Sequence, residues 1–227
     1  MPGFDGTGEM FGPLTTALST QYPTTVIRYR DERTFDDYVD TVSAALPDQG
    51  GATLVAESFS GPVALAVMAR HPTKIQRAVL CATFVESPFR SLTKLARFVP
   101  PAAFGLKIGQ RAMLQRFCLD DGCDPALMDQ ALAVVRSMPA VTVAARINVL
   151  AALQVRTLCP NIRTSILILR ATGDRLVSPS RYNQLIEALP GATVKAVEGP
   201  HLLLQSRPKE CARLIEEFTG MAATMRG

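Results

Sequence analysis

The sequence has 227 residues, of which 48% are hydrophobic and 19% are charged, so a disordered chain is excluded and one domain with a large core is expected. The formal net charge of +4 is too small to indicate a nucleic-acid-binding protein, and no nucleic-acid-binding motif is visible. The five cysteines are odd in number and lack metal-ligand spacing, which predicts free thiols and no metal site.

The chain shows no secretory signal, since the residues after Met1 form neither a basic nor an apolar stretch. No window of about 18 apolar residues indicates a membrane span. Free thiols are typical of a reducing compartment. We therefore expect a cytoplasmic protein.

A glycine-rich loop opens the chain. Gly3, Gly6 and Gly8 let backbone N–H groups point inward at close range, although an ordinary turn before a helix is the simpler interpretation. Their spacing is not the G-x-G-x-x-G of a dinucleotide-binding loop. A helical face follows, and its apolar residues are Met10, Phe11, Leu14 and Leu18.

Strand and helix patterns then alternate. The predicted elements are strands at 24–29, 53–56 and 76–83, a helix at 35–46 with Thr34 as its N-cap, and a helix at 63–69. This alternation is typical of a parallel sheet that helices cover on both faces.

The tightest bend is predicted where the strand ending at Ala56 meets the helix that includes Val63. Such a bend strains its central residue, Ser58, and needs small residues two positions away on each side, here Ala56 and Ser60. Ser60 fits the central position less well, because Pro62 would then occupy one of the small positions. The plain alternative is a strand followed by a helix that Ser58 or Ser60 caps.

The alternation breaks between residues 86 and 160, where prolines, glycines and helical patterns predict a helical insertion over the sheet. Its residues 90–116 include six basic side chains, no acid and many apolar side chains. This pattern suits a lid that touches an anionic surface or a lipid-like substrate. It also suits a solvated face whose long side chains cover apolar surface. The basic residues are Arg90, Lys94, Arg97, Lys107, Arg111 and Arg116.

The alternation resumes after the insertion. The predicted elements are a strand at 165–171, a helix at 180–188, a strand at 192–197 and a helix at 208–221.

Polar residues follow three of the predicted strands: Ser58, Asp174 and His201. The carboxyl ends of parallel strands meet at one edge of the sheet, where sites form. A serine hydroxyl needs a base, imidazole titrates in a suitable range, and a carboxylate can orient the imidazole. The plainer alternative for Asp174 is that of a turn-forming residue after Gly173. His71, at a helix end, and Glu86, just after a strand, are the alternative base and acid.

These features resemble the α/β-hydrolase family, in which a serine on a sharp elbow, an acid and a histidine follow in this chain order. The resemblance covers nearly the whole chain. It implies a single α/β domain of residues 1–227 with a mostly parallel sheet, helices on both faces and a helical cap at 86–160. It also implies an oxyanion hole formed by the N–H groups of Phe4 and Phe59, and neither a metal nor an organic cofactor.

The sequence departs from this family at its beginning. In the family, a strand in mid-sheet precedes the glycine-rich loop, but here only Met1 and Pro2 precede Gly3. Either the strands at 24–29 and 53–56 pair directly, in a sheet of about five strands, or the N-terminal strands are truncated from a longer natural chain. We expect the second, because Met1 stands where the last apolar residue of that strand belongs.

The resemblance implies a serine hydrolase that cleaves small to medium apolar carboxylic esters through an acyl-enzyme on Ser58. Acyl transfer, thioester cleavage or C–C bond hydrolysis on the same residues is the alternative, as is a truncated, inactive or ligand-binding relative. The expected partner is a small-molecule ester substrate, with no nucleic acid and no membrane contact. A homo-oligomer is compatible with an exposed sheet edge.

Overall fold

The computed structural model describes residues 1–18, 23–49, 51–88, 90–96 and 98–224. At its centre lies a parallel sheet of four strands, which pair in the order in which they occur along the chain. The strands are β1 (Ala52–Glu57), β2 (Ile75–Cys81), β3 (Ser165–Ala171) and β4 (Thr193–Val197).

Helices connect and cover these strands. Short 3₁₀ turns lie at Glu9–Phe11, Pro101–Gly105 and Arg156–Asn161. The α-helices of the described residues are α1 (Gly12–Ala17), α2 (Phe35–Ala44), α3 (Ser60–Arg70), α4 (Arg90–Ala96), α5 (Gln110–Phe117), α6 (Pro125–Ser137), α7 (Ala140–Ala152), α8 (Pro179–Ala188), α9 (Leu203–Ser206) and α10 (Pro208–Thr224).

Both faces of the sheet are buried, as the strand–helix alternation predicts. Leu80 and Ile168 lie in a core cluster that includes residues of α2, α3 and α8. Val79 and Leu169, one position away along the same strands, lie in a second cluster with residues of α1 and α10. Because successive side chains of a strand point to opposite faces, the apolar strands supply both clusters at once.

Local sequence signals predicted several elements correctly. The Thr34 hydroxyl accepts a hydrogen bond from the Asp37 N–H, and the Asp37 carboxylate accepts one from the Thr34 N–H, so α2 begins with a capping box. Strand β3 has the predicted bounds. The sheet itself is the predicted α/β architecture with helices on both faces.

The strand predicted at 24–29 is wrong, because this segment is irregular in the structure. A groove of about 530 Å³ lies between residues 23–27 and β1, and Leu54, Val55 and Ile215 line it together with Met1. A β-strand needs a neighbouring backbone for its hydrogen bonds, and across this groove none is within reach. Tyr29, at the end of the segment, instead donates its N–H to the Gly6 carbonyl at 2.8 Å.

The outer edge of β1 therefore does not pair with residues 24–29, and the sheet has four strands in the described part of the chain, so the alternative of direct pairing in a sheet of about five strands is wrong. Met1 pairs with β1 at one position along this edge. Its amino group donates to the Val55 carbonyl at 2.8 Å, and its carbonyl accepts from the Glu57 N–H at 3.3 Å. This is the bonding of a residue in a parallel ladder, and it agrees with the position expected for Met1.

The chain between β2 and β3 is helical, and α7 packs against α4 and against the turn at Pro101–Gly105. Leu106 and Ile108 are exposed there, at 64% and 89%. No single helix in the described part of the chain has the length and apolar character to cross a membrane. Helices α6 and α7 reach that length and apolar character only when taken as a pair, and they meet at 94°.

Candidate active site

The bend after β1 has the predicted strain. Ser58 has a φ of 49°, in the left-handed region that side chains other than glycine rarely adopt. Its N–H donates to the Cys81 carbonyl at 2.9 Å, and its carbonyl accepts from the Gly61 N–H at 3.0 Å and the Thr83 hydroxyl at 2.5 Å. These bonds anchor the bend to the end of β2, so the surrounding fold holds Ser58 in this conformation.

Close packing also explains the small residues around Ser58. A β-carbon added to Gly61 would lie 2.0 Å from the Thr83 Oγ1, closer than any real contact. The Ser60 hydroxyl is fully buried and bonded to the Pro2 carbonyl and the Tyr29 hydroxyl. Ser60 is therefore a structural residue, and Ser58 is the serine with a hydroxyl available for chemistry.

The structure brings Ser58, His201 and Asp174 together from three strand ends. His201 Nε2 lies 2.9 Å from Ser58 Oγ, and His201 Nδ1 lies 2.9 Å from Asp174 Oδ2. The carboxylate can only accept, so Nδ1 carries the proton and Nε2 is free to accept the proton of the serine hydroxyl. The His201 and Asp174 side chains are 5% and 1% exposed, which shields both bonds from water.

The Asp174 carboxylate takes part in four hydrogen bonds within the described part of the chain. Its Oδ1 accepts from the N–H groups of Leu176 and Val177, at 2.9 and 2.8 Å. Its Oδ2 accepts from the Tyr182 hydroxyl at 2.9 Å as well as from His201. Burial raises the pKa of Tyr182 above its usual value, so this hydroxyl keeps its proton and remains a donor. No sequence pattern indicated Tyr182, because its approach to Asp174 depends on how α8 folds back on the turn.

The two alternative residues lie elsewhere. Glu86 pairs with Arg181 at 3.1 Å. His71 Nε2 lies 3.0 Å from the Ser43 hydroxyl. Neither belongs to the hydrogen-bond chain that contains Ser58.

The glycine-rich loop lies directly beside Ser58. A β-carbon on Gly3 would be 3.8 Å from the Ser58 Cβ. The Phe4 and Phe59 rings, from this loop and from the bend, meet edge to face with centroids 6.1 Å apart. The two residues predicted to supply the oxyanion hole are therefore neighbours.

Arg146 of α7 reaches this loop, and no sequence pattern had indicated it as a site residue. Its side chain is buried, and its Nη1 donates to the Phe4 carbonyl at 2.6 Å. It is the single charged residue of α7, and a lone charge in an otherwise apolar helix is the signal that was available.

A second buried group, Glu57, precedes Ser58. Its Oε2 accepts from the Gln205 amide at 3.0 Å, whereas its Oε1 has no hydrogen-bond partner in the described part of the chain. Burial raises the pKa of this carboxyl from 4.5 to about 7, and the Gln205 hydrogen bond and the nearby His201 oppose this effect.

Among the residues that the structure describes, no three His, Cys, Asp or Glu side chains are grouped closely enough to hold a metal ion. All five cysteines are free thiols, and Cys81, Cys159 and Cys211 are buried.

Comparison with known proteins gives three results. A family model described as Serine aminopeptidase, S33, matches residues 29–203. No curated protein matches the chain significantly. Many solved structures share its fold.

The enol-lactonase from Burkholderia xenovorans is similar with a TM-score of 0.75 and 20% identity, over 96% of this chain and 88% of the other. The esterase RhEst1 from a Rhodococcus species has a TM-score of 0.76 and 21% identity, over 95% and 87%. A bromoperoxidase from Bacillus anthracis has a TM-score of 0.77 and 15% identity, over 96% and 90%. These likenesses establish the fold, and the family model covers more than half of the sequence. The chain therefore belongs to the α/β-hydrolase family, within the group described as Serine aminopeptidase, S33.

Proposed function

We propose that the chain is a serine hydrolase that cleaves small to medium apolar carboxylic esters through an acyl-enzyme on Ser58. The observation that carries this proposal is the unbroken hydrogen-bond chain from the Ser58 hydroxyl through the His201 ring to Asp174, with 2.9 Å at each step. A serine next to a base that a buried acid orients is the arrangement that activates a hydroxyl.

In the first half-reaction Ser58 Oγ attacks the ester carbonyl carbon, and its proton passes to His201 Nε2. The Asp174 carboxylate stabilises the imidazolium that results. The negative charge on the carbonyl oxygen is held by the N–H groups of Phe4 and Phe59. His201 then gives its proton to the leaving alcohol as the C–O bond breaks, which leaves the acyl group on Ser58.

In the second half-reaction water takes the place of the alcohol. His201 removes a proton from the water as its oxygen attacks the acyl carbon. His201 then returns this proton to Ser58 Oγ as the bond between Oγ and the acyl carbon breaks, which releases the carboxylic acid. Removing one oxyanion donor from such a site typically costs about 10²- to 10³-fold in kcat.

Two features support an apolar ester as the substrate. The Phe4 ring, on the loop beside Ser58, is half-buried and leaves apolar surface for an acyl group, whereas the Phe59 ring is 3% exposed and packs against it. The structures of the same fold include an esterase and an enol-lactonase. Both are compatible with an ester carbonyl as the point of attack.

The test is labelling of the chain with a fluorophosphonate, followed by peptide mass spectrometry and by turnover of p-nitrophenyl esters of two to eight carbons. We expect a single adduct on Ser58. Ser58→Ala and His201→Ala should lose both the adduct and at least about 10⁴-fold of the turnover. Ser43→Ala is the control, because the Ser43 hydroxyl bonds to His71, outside the hydrogen-bond chain that contains Ser58.

Full esterase activity in Ser58→Ala would contradict the proposal. So would faster turnover of aminoacyl p-nitroanilides than of the matched esters, which would indicate peptide substrates. Addition of an alcohol distinguishes hydrolysis from transfer, because a transferase would form the new ester instead of the free acid.

A further inference from the structure

Among the side chains that the structure describes, Arg146 is the one buried arginine or lysine, and its hydrogen-bond partners are uncharged. Arg146 is 1% exposed, and its guanidinium donates to the Phe4 carbonyl at 2.6 Å and to the Tyr38 hydroxyl at 3.2 Å. Ion pairs within the described ranges do not include Arg146. Burying a charge without a carboxylate partner destabilises the fold, so a second role for Arg146 would explain its position.

Each hydrogen-bond partner of Arg146 either belongs to the proposed oxyanion hole or contacts one of its residues. Phe4 is itself one of the two donors, and the bond to its carbonyl restricts rotation of the backbone on that residue. Tyr38 is fully buried, and its ring packs edge to face on Phe59, the other donor, with centroids 5.0 Å apart. The guanidinium carbon lies 5.9 Å from the centre of the same Tyr38 ring. One side chain therefore supports both residues.

The loop is shaped to admit this guanidinium. Gly6 has a φ of +71°, and a β-carbon on it would lie 2.2 Å from Arg146 Nη2. Gly6 also accepts the Tyr29 N–H at its carbonyl, so its backbone cannot move aside freely. The glycine serves two needs here, a left-handed turn and space for a planar cation.

We propose that Arg146 is a positioning residue that couples the helical insertion to the oxyanion hole. Helix α7 cannot move away from the loop without leaving a buried cation unpaired or releasing the Phe4 carbonyl. Displacement of α7 therefore loosens the amides that stabilise the tetrahedral intermediate, and docking of α7 holds them in place. This inference rests on the proposed function, because it assigns a role within that same site.

The experiment uses the full chain and compares Arg146→Met, Arg146→Lys and Gly6→Ala with wild type. Each preparation is first titrated with fluorophosphonate, so that rates are expressed per reactive Ser58. We expect kcat on p-nitrophenyl acetate to fall about 10²-fold in Arg146→Met and less in Arg146→Lys, with KM changed less than threefold. Gly6→Ala should behave like Arg146→Met, since it displaces the same guanidinium.

Two readouts separate positioning from a merely structural role. The inhibition constant of a trifluoromethyl ketone, which forms a tetrahedral oxyanion on serine, should rise by the same factor by which kcat/KM falls. Methylguanidinium added to Arg146→Ala should restore part of kcat without changing the number of titrated sites. Arg136→Met is the control, because Arg136 is an exposed arginine near the end of the neighbouring α6.

Rates per reactive site within twofold of wild type in both Arg146→Met and Gly6→Ala would overturn the inference while leaving the proposed function intact. A rise in KM alone, without weaker ketone binding, would overturn it as well. If the wild type neither labels nor hydrolyses the ester, the proposed function fails, and this inference fails with it.

Discussion

Replacing Glu57 by glutamine tests the electrostatics of the site without removing a proposed catalytic group. Glu57 precedes Ser58, is 2% exposed, and has one oxygen on Gln205 and one without a partner in the described part of the chain. Glutamine has nearly the same shape and keeps an oxygen for Gln205, but it does not titrate. The variant therefore isolates the effect of the carboxyl's charge.

The size of the effect follows from the pKa of Glu57. Burial raises it from 4.5 to about 7, so between these pH values the folded state holds a proton that the unfolded chain has released. The contribution of the protonated Glu57 carboxyl to the free energy of unfolding is fully present below about pH 4.5 and is lost as the pH rises through 7. A tenfold difference in proton affinity between the two states is worth about 1.4 kcal/mol, which makes the loss about 3 kcal/mol in the free energy of unfolding.

Neighbouring charged groups also affect the pH dependence of stability, so wild type has to be compared with the Glu57→Gln variant. Asp5 raises the pKa of Glu57, whereas His201 and the Met1 amino group lower it. Burial also lowers the pKa of the Met1 amino group to about 5, so its contribution to stability grows between pH 5 and 8. These two opposite slopes overlap in the wild type, and the difference between wild type and variant separates them.

The assay is urea unfolding at five pH values from 4.5 to 8.5, on wild type, Glu57→Gln and the control Glu187→Gln, which alters an exposed carboxyl on α8. We expect the free energy of unfolding of Glu57→Gln, relative to that of wild type, to rise by about 3 kcal/mol between the lowest and the highest pH. The same difference for Glu187→Gln should change by less than about 0.5 kcal/mol. Parallel profiles for wild type and Glu57→Gln would show that the carboxyl is not perturbed and would refute this reasoning.

Three further substitutions test the geometry around Ser58. Asp174→Asn should lower kcat by about 10⁴-fold with a small change in melting temperature, because an amide no longer holds His201 in the required tautomer; rates within tenfold of wild type would contradict this. Tyr182→Phe removes one of four bonds to Asp174 and should lower kcat less than about tenfold, while urea unfolding shows a loss of about 1 kcal/mol. Gly61→Ala should cost about 2 kcal/mol or more, since the new methyl group meets Thr83 at 2.0 Å; an unchanged midpoint of urea unfolding would show that the bend can relax.

Most of the fold was predictable because its signals are local. The apolar runs of β1 to β3, the Thr34 capping box and the alternation of strands with helices depend on residues close in sequence. The strand predicted at 24–29 failed for the opposite reason. Its residues have a strand-like composition, but a strand forms only where a neighbouring backbone supplies hydrogen bonds, and a groove lies there instead.

The order of Ser58, Asp174 and His201 along the chain was enough to predict that they meet, because parallel strands bring their carboxyl ends to one edge. The sequence by itself thus determined the fold class and the meeting of these three side chains. Only the tertiary structure decided the contacts around this site: Tyr182 on Asp174, Gln205 on Glu57, and Arg146 on the Phe4 loop. Those contacts join residues far apart in sequence, and they depend on how each helix packs against the sheet and loops, which no local pattern encodes.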